Sequence, residues 1–452
     1  MRTLILASSF ALVGCATVAP PTPINAQIRA DSVALSQEMD FDGDVLVLTF
    51  SGGGARAAAF SLGALQGLRD TQGANGRPLL ERVRLISSVS GGSITAAYFG
   101  QHGVAGLETF RAAYLDKNWA GELHVSPYSP LNWARASRGG VNDERLLADW
   151  LDREVFGRGL VRDVWNEDGV RVWLNATDLF NGTTFAFTPL YFDALCSELG
   201  SVRIADAVAA SMAVPVVFQP VLAAPYPEHC TPSHTWGASA LADRDEYALV
   251  RRTAQAFASY RDPERQSYLH LVDGGVLDNL GLTSLSLARQ TAGTPYGPLS
   301  PRAAVRVDRM TFLVINAEKV RASEWQLSPE GPSGLQVVDV LSDIIIESPN
   351  RSAYDSFRML VADWERELRA YRCGLSSEEV RRLRGDLDGW DCADVHVNLD
   401  MVSFSDFDEA TRDQLGQTPT RVTVTREQTD ALIAAGARGV RENPAVQALG
   451  RR

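Results

Sequence analysis

The sequence predicts an α/β fold built on a mostly parallel sheet, and three observations predict it. Short apolar runs rich in β-branched residues alternate with helix-forming segments along most of the chain. The stretch Val45–Leu68 reads as a strand, a glycine turn and a helix in direct succession. At 452 residues the chain is long enough to bury one large α/β core or two modest ones.

The N-terminus reads as an address. Met1-Arg2 is a short basic start, and Leu4–Val13 is an apolar run too short to cross a membrane as a mature helix. It ends in Leu12-Val13-Gly14-Cys15, which resembles the bacterial lipobox: residues 1–14 would be the signal peptide and the Cys15 thiol the acceptor of a lipid. The competing reading is an ordinary secretory signal cleaved nearby. Ala16, in place of Asp, follows Cys15 and points away from inner-membrane retention. The expected location is therefore the cell envelope, as an outer-membrane lipoprotein facing the periplasm. The stretch Ala16–Ala26 is rich in Pro, Ala and Thr and reads as a tether, with residues 15–40 as the whole lipidated N-terminal segment.

The folded domain is expected over 41–452. Val45–Phe50 forms a buried strand, and Ala57–Leu68 a helix with Leu62, Leu65 and Leu68 on related faces. Val83–Val89 is a strand and Gly92–Phe99 a helix; Val172–Ala176 and Phe185–Thr188 are short strands; Ala205–Met212 is a helix. Pro215 and Pro220 interrupt the apolar stretch Ala205–Pro225, so it reads as helix, turn and strand edge rather than a membrane span. The Pro/His/Ser-rich loop Ala223–Ser239 and the charged helix Ala240–Tyr260 read as an insertion over the sheet, at about 223–265. Leu269–Val272 and Thr311–Ile315 are strands, and Val337–Tyr371 is helical with a break at Pro349. Val395–Phe404 and Arg421–Thr425 look like late strands, and Glu427–Ala435 closes the chain as a helix.

Composition narrows the function classes. A formal net charge of -12 disfavours nonspecific binding to nucleic acid or anionic lipid by charge alone. Apart from Cys15 the cysteines are Cys196, Cys230, Cys373 and Cys392, an even number compatible with two disulfides in an exported protein. Local pairing, Cys196–Cys230 and Cys373–Cys392, is the first of three connectivities; four free thiols are the alternative. No Cys-x-x-Cys, His-Glu-x-x-His or EF-hand loop occurs, so no metal and no cofactor are expected.

Three segments carry chemistry. Gly52, Gly53 and Gly54 open a helix, and free N–H groups there, with Arg56 beside them, suit a phosphate or a transient oxyanion. Ser88-Val89-Ser90-Gly91-Gly92 places Ser90 in a sharp strand-to-helix corner, with Ser88 standing where the usual elbow has glycine. His270-Leu271-Val272-Asp273-Gly274-Gly275 ends a strand on Asp273, where a carboxylate can take a proton from a hydroxyl or orient a histidine that does so. Nucleotide binding is disfavoured because no Lys-Ser or Lys-Thr follows the glycines at P-loop spacing and no clear G-x-G-x-x-G exists.

Together these segments resemble the patatin-like phospholipase family. The resemblance rests on Gly52-Gly53-Gly54-Ala55-Arg56, Ser88-Val89-Ser90-Gly91-Gly92 and Asp273-Gly274-Gly275. Ala210-Ser211-Met212-Ala213-Val214-Pro215, Asn175-Ala176-Thr177-Asp178 and Asp278-Asn279 are similar to further family patterns. It runs from about Val45 to Leu282, and Ser51 through Ala57 looks closer to the cytosolic phospholipase A branch. The resemblance implies three layers, with helices on both faces of the sheet. It implies a Ser–Asp dyad, Ser90 as nucleophile and Asp273 as general base, with Gly52, Gly53, Gly54 and Arg56 forming or supporting an oxyanion hole. The implied activity is hydrolysis of lipid carboxylic esters, of phospholipase A or lysophospholipase type, through an acyl-enzyme. An inactive scaffold of the same fold and a general esterase or triacylglycerol lipase are the alternatives. A triad would instead recruit one of His102, His124, His229, His234, His270 or His396, none of which sits in a recognisable catalytic motif. Trp236 and its apolar neighbours are expected to pack, or to cover an acyl site. The expected partners are a lipid ester substrate and a membrane reached through the N-terminal lipid, with no nucleic acid.

Overall fold

In the computed structural model the described residues are 21–451, apart from 33, 124–128, 130–131, 133–134, 138, 166–168, 232, 234–235, 320–328, 330 and 332; within 334–349 only the backbone is described. The expected signal peptide over 1–14 and Cys15 lie outside the described residues, as do His124 and His234.

The described strands are β1 Gly43–Phe50, β2 Val83–Val89, β3 Gly140–Asn142, β4 Arg171–Asp178, β5 Thr183–Ala186, β6 Val216–Phe218, β7 Val221–Ala223, β8 Leu269–Asp273, β9 Val307–Asn316 and β10 His396–Ser403. Eight of them form one sheet in the order β10-β9-β1-β2-β4-β8-β7, with β5 also on β4; β3 and β6 pair separately. The five strands from β10 to β4 run parallel. The other three depart from the parallel rule: β5 and β8 run antiparallel to β4, and β7 antiparallel to β8. Val45–Phe50 and all of β4 are buried, as central strands covered on both faces must be.

Helices surround the sheet. They include α1 Gly54–Asp70, α2 Gly91–Phe110, α3 Ile204–Ser211, α4 Ala248–Tyr260, α5 Gly334–Gly374 and α6 Arg426–Glu442. Helix α1 packs between α2 and α6, and α5 lies against β10. Helix α2 kinks at Gly103, whose φ of 59° no helix interior accepts. The contact of α1 with α6 is backbone against backbone: a Cβ on Gly63 would lie 2.1 Å from the Ile433 carbonyl oxygen, and one on Gly436 2.2 Å from that of Phe60.

Three local expectations are corrected. Arg421–Thr425 is not a strand. Its alternating β-branched residues suit one, but the segment lies over the glycine turn, where the Arg421 carbonyl accepts the Ala55 N–H at 2.8 Å. Helix α5 does not break at Pro349; it runs 41 residues, its second half anchored in the core by Phe357, Val361, Trp364 and Leu368. One lost hydrogen bond is small against that packing. The segment expected as a tether over 15–40 is not free chain throughout, because it docks on the domain at Ile24 and Asn25. The Ile24 N–H donates to the Leu222 carbonyl, and Asn25 Nδ2 to Ser197 Oγ and the Ala224 carbonyl, each at 2.8 Å.

The insertion carries two helices, Trp236–Ala242 and α4, rather than one. Tyr191 and Trp236 both pack on Phe257 of α4, and Tyr260 donates to Asp178 Oδ2 at 3.0 Å. Disulfides join Cys196 to Cys230 and Cys373 to Cys392. The first ties the insertion to the body of the domain. Among the described residues no helix is long and apolar enough to cross a membrane.

Candidate active site

Strand register assembles the site. Val89 of β2 pairs with Asn175 of β4, so Ser90, the next residue, comes level with Ala176; and Ala176 pairs with Asp273 of β8. Ser90 and Asp273 thus arrive on one row from opposite directions, because β8 is antiparallel. Leu269 and Leu271 face inward with Asp273, while His270 is exposed.

Ser90 sits in the elbow with φ 51° and ψ -125°, backbone angles that L side chains rarely adopt. The surroundings hold it there. The Ser90 N–H donates to Ser211 Oγ at 2.9 Å, and Ser211 Oγ donates to the Asn175 carbonyl at 2.6 Å. A Cβ on Gly91 would stand 2.0 Å from the Gly54 carbonyl oxygen, so only glycine lets the elbow meet the glycine turn. Ser88 is fully buried and its hydroxyl donates to the Trp173 carbonyl at 3.1 Å, which is how a serine is accommodated in place of the usual glycine.

The Ser90 hydroxyl donates to Asp273 Oδ2 at 2.8 Å. The Gly275 N–H donates to Oδ1 at 2.8 Å, and the Asp273 N–H donates to the Ala213 carbonyl at 2.9 Å. Both residues are buried, Ser90 8% and Asp273 6% exposed. Burial raises the Asp273 carboxyl to about 6, against the lowering influence of the Gly275 N–H and the Ser90 hydroxyl. A buried carboxylate near neutrality, touching a hydroxyl held at a strained corner, can serve as a proton acceptor.

No histidine intervenes between the two among the described residues. His396 begins the far-edge strand β10, His270 points to solvent, His102 packs on Tyr98, and His229 lies beside Tyr226. Trp236 lines a cavity of about 800 Å³ with Leu190, Phe192 and Tyr296; neither Ser90 nor Asp273 reaches that cavity.

The glycine turn abuts the elbow, since a Cβ on Gly52 would lie 3.2 Å from Ser90 Cβ. Its donors are unequal. The Gly52 N–H is committed to the Asn279 carbonyl at 3.1 Å and the Ala55 N–H to that of Arg421, so Gly52 can support an oxyanion hole as a spacer and not as a donor. The Gly53 and Gly54 N–H groups have no such partner among the described residues. Arg56 is buried; its Nε donates to the Ala317 carbonyl at 2.8 Å and its Nη1 to the Thr418 carbonyl at 2.9 Å, clamping the turn to the end of β9 and to the C-terminal segment.

Asn279 and Ser211 were legible in the sequence only as parts of motifs, without roles. The Asn279 side chain stands between Gly52 and Gly275, its Oδ1 2.2 Å and 2.8 Å from where their Cβ atoms would be. Asp278 is buried and accepts the Gly281 N–H at 2.9 Å and the Thr283 N–H at 2.6 Å, which fixes the loop carrying Asn279.

The family model for patatin-like phospholipases matches residues 48–286, more than half of the chain. The chain belongs to the patatin-like phospholipase family. Ser90 and Asp273 both fall inside the matched span. Comparison with curated proteins gives no match. Among solved structures the chain is similar to human GIVD cytosolic phospholipase A2, at 13% identity and a TM-score of 0.40, over 90% of this chain and 62% of that one. The same enzyme in complex with methyl gamma-linolenyl fluorophosphonate aligns at 13% identity and a TM-score of 0.38, over 90% of this chain and 59% of that one. The ExoU-SpcU complex of Pseudomonas aeruginosa aligns at 16% identity and a TM-score of 0.22, over 97% of this chain and 86% of that one. The chain thus spans about three fifths of the length of the human structures it matches.

Proposed function

We propose that this patatin-like protein cleaves carboxylic esters of lipids through a Ser90–Asp273 dyad and an acyl-enzyme. The observation that carries the reading is the direct 2.8 Å hydrogen bond from Ser90 Oγ to Asp273 Oδ2. Ser90 Oγ attacks the ester carbonyl carbon while its proton passes to Oδ2. The negative charge that develops on the carbonyl oxygen is met by the Gly53 and Gly54 N–H groups, and one such donor contributes roughly 3–4 kcal/mol. Asp273 then returns the proton to the departing alcohol. Water, deprotonated by the same carboxylate, releases the fatty acid and restores Ser90. Arg56 keeps the donor turn in place through its carbonyl contacts.

Phospholipids and lysophospholipids lead the substrate classes because of the family. The lipobox-like Leu12-Val13-Gly14-Cys15 supports attachment to the cell envelope through Cys15, and the two disulfides fit an oxidising compartment.

A fluorophosphonate probe tests the nucleophile. Labelling is expected at Ser90 and lost in Ser90→Ala; folded protein that takes no label would make the chain an inactive scaffold. Release of fatty acid from a panel of phospholipid, lysophospholipid and triacylglycerol then ranks the substrates. Activity that EDTA removes, or a single His→Ala variant as inactive as Ser90→Ala, would overturn the metal-free dyad.

A further inference from the structure

Two short segments next to Asp273 expose apolar side chains that a water-facing surface does not need. The first follows Ala213, whose carbonyl holds the Asp273 N–H: Val214 is 44% exposed, Pro215 is exposed, and Val216 is 63% exposed. The second follows Gly275, whose N–H holds Asp273 Oδ1: Val276 and Leu277 are each 37% exposed. No charged residue occurs from Ser211 to Gln219 or from Gly274 to Leu277, in a chain whose net charge is -12.

The first segment is also held under strain. Val216 has φ 71°, a region in which a β-branched residue is a true outlier. It is held there from several sides. Val216 pairs with Gly140, Asn142 Nδ2 donates to the Val217 carbonyl at 2.9 Å, and the Phe218 N–H donates to the Val214 carbonyl at 3.0 Å. Asn or Gly at 216 would relieve the strain and the exposure together. The chain instead presents three successive apolar residues on a rigid knuckle beside the base.

We propose that Val214, Pro215, Val216, Val276 and Leu277 form a rim that seats on a lipid surface, so that an ester leaving the lipid phase passes directly to Ser90. The proposal rests on the acyl-hydrolase reading. The occupant is a lipid surface rather than a protein groove because the rim is uncharged, adjoins the dyad on both sides of Asp273, and belongs to a family of lipid hydrolases. Each Val or Leu side chain moved from water into lipid is worth about tenfold in partition.

The test uses the full chain carrying Cys15→Ser, so that no lipid attached there contributes, and phosphatidylcholine vesicles. With Val216→Cys, the only thiol outside the two disulfides takes an environment-sensitive fluorophore. A blue shift on adding vesicles is expected; no shift overturns the proposal, whatever holds the N-terminus. In the Val216→Asn/Leu277→Ser chain, the rate on vesicular phosphatidylcholine relative to that on soluble p-nitrophenyl butyrate is expected to fall at least tenfold. An unchanged ratio overturns the rim, as does an equal loss on both substrates, which would make these residues supports of the dyad. A parent chain inactive on both substrates and unlabelled by fluorophosphonate would overturn the acyl-hydrolase reading instead, while the fluorescence experiment still decides whether the rim meets lipid.

Discussion

At the scale of single residues, Asp273 works against the stability of the fold that holds it. Its carboxyl is raised to about 6 because burial disfavours the charge. The proposed general-base role needs the carboxylate, so kcat/KM is expected to rise with pH through about 6 and level off above it, as a pH–rate profile on a soluble ester would show. The stability consequence has the opposite sign. Between the ordinary carboxyl value of 3.8 and about 6, the folded chain holds a proton that the unfolded chain has lost, so stability falls as pH rises across that window. Asp273→Asn removes the buried charge. It is expected to abolish hydrolysis and yet raise stability by about 1–3 kcal/mol at pH 8, with little gain at pH 4, by urea denaturation at the two pH values. Ser211→Ala is a complementary case. It leaves the Ser90 N–H without its acceptor and loosens the elbow, and kcat is expected to drop roughly ten- to a hundredfold with the fold intact, checked by kinetics alongside circular dichroism.

At the scale of elements, the site depends on a close helix pair of which one member, α6, lies outside the matched span. Helix α1 begins at the glycine turn, and its Gly63 and Gly67 let the backbone of α6 approach. Alanine at 63 would gain about 1 kcal/mol in helix propensity, but the 2.1 Å approach of the Ile433 oxygen leaves no room for a Cβ. Gly63→Val is therefore expected to destabilise by roughly 2–4 kcal/mol and to lower activity by shifting the turn, read from urea midpoints and ester hydrolysis. The same reasoning explains which elements the sequence showed. The strands β1, β2, β4 and β9 read clearly because each carries a short apolar stretch that is buried in the middle of the sheet. Arg421–Thr425 misled because strand propensity reports a half-buried pleated surface, and that segment found its partner in the glycine turn instead of a ladder.

At the scale of the whole molecule, covalent and long-range contacts close the domain. The two disulfides span sequence separations of 34 and 19 residues. Their reduction is expected to cost about 3 kcal/mol each and to lower the calorimetric Tm, with Cys196→Ser/Cys230→Ser loosening the insertion first. The family match ends at residue 286, yet β9 and β10 complete the sheet, and Ala317 and Thr418 seat the glycine turn through their bonds from Arg56. By itself the sequence determined the alternation that makes an α/β sheet, the strained elbow at Ser90, the turn of glycines, and a carboxylate at a strand end. Each of these is a local matter of side-chain size, backbone freedom and periodicity. Only the tertiary structure decided that β8 runs antiparallel, that its register brings Asp273 level with Ser90, and that Gly52 gives up its donor to Asn279. Only it decided that the apolar residues flanking Asp273 face outward. Those outcomes depend on strand order and on hydrogen bonds between residues more than 180 positions apart, which no local pattern encodes.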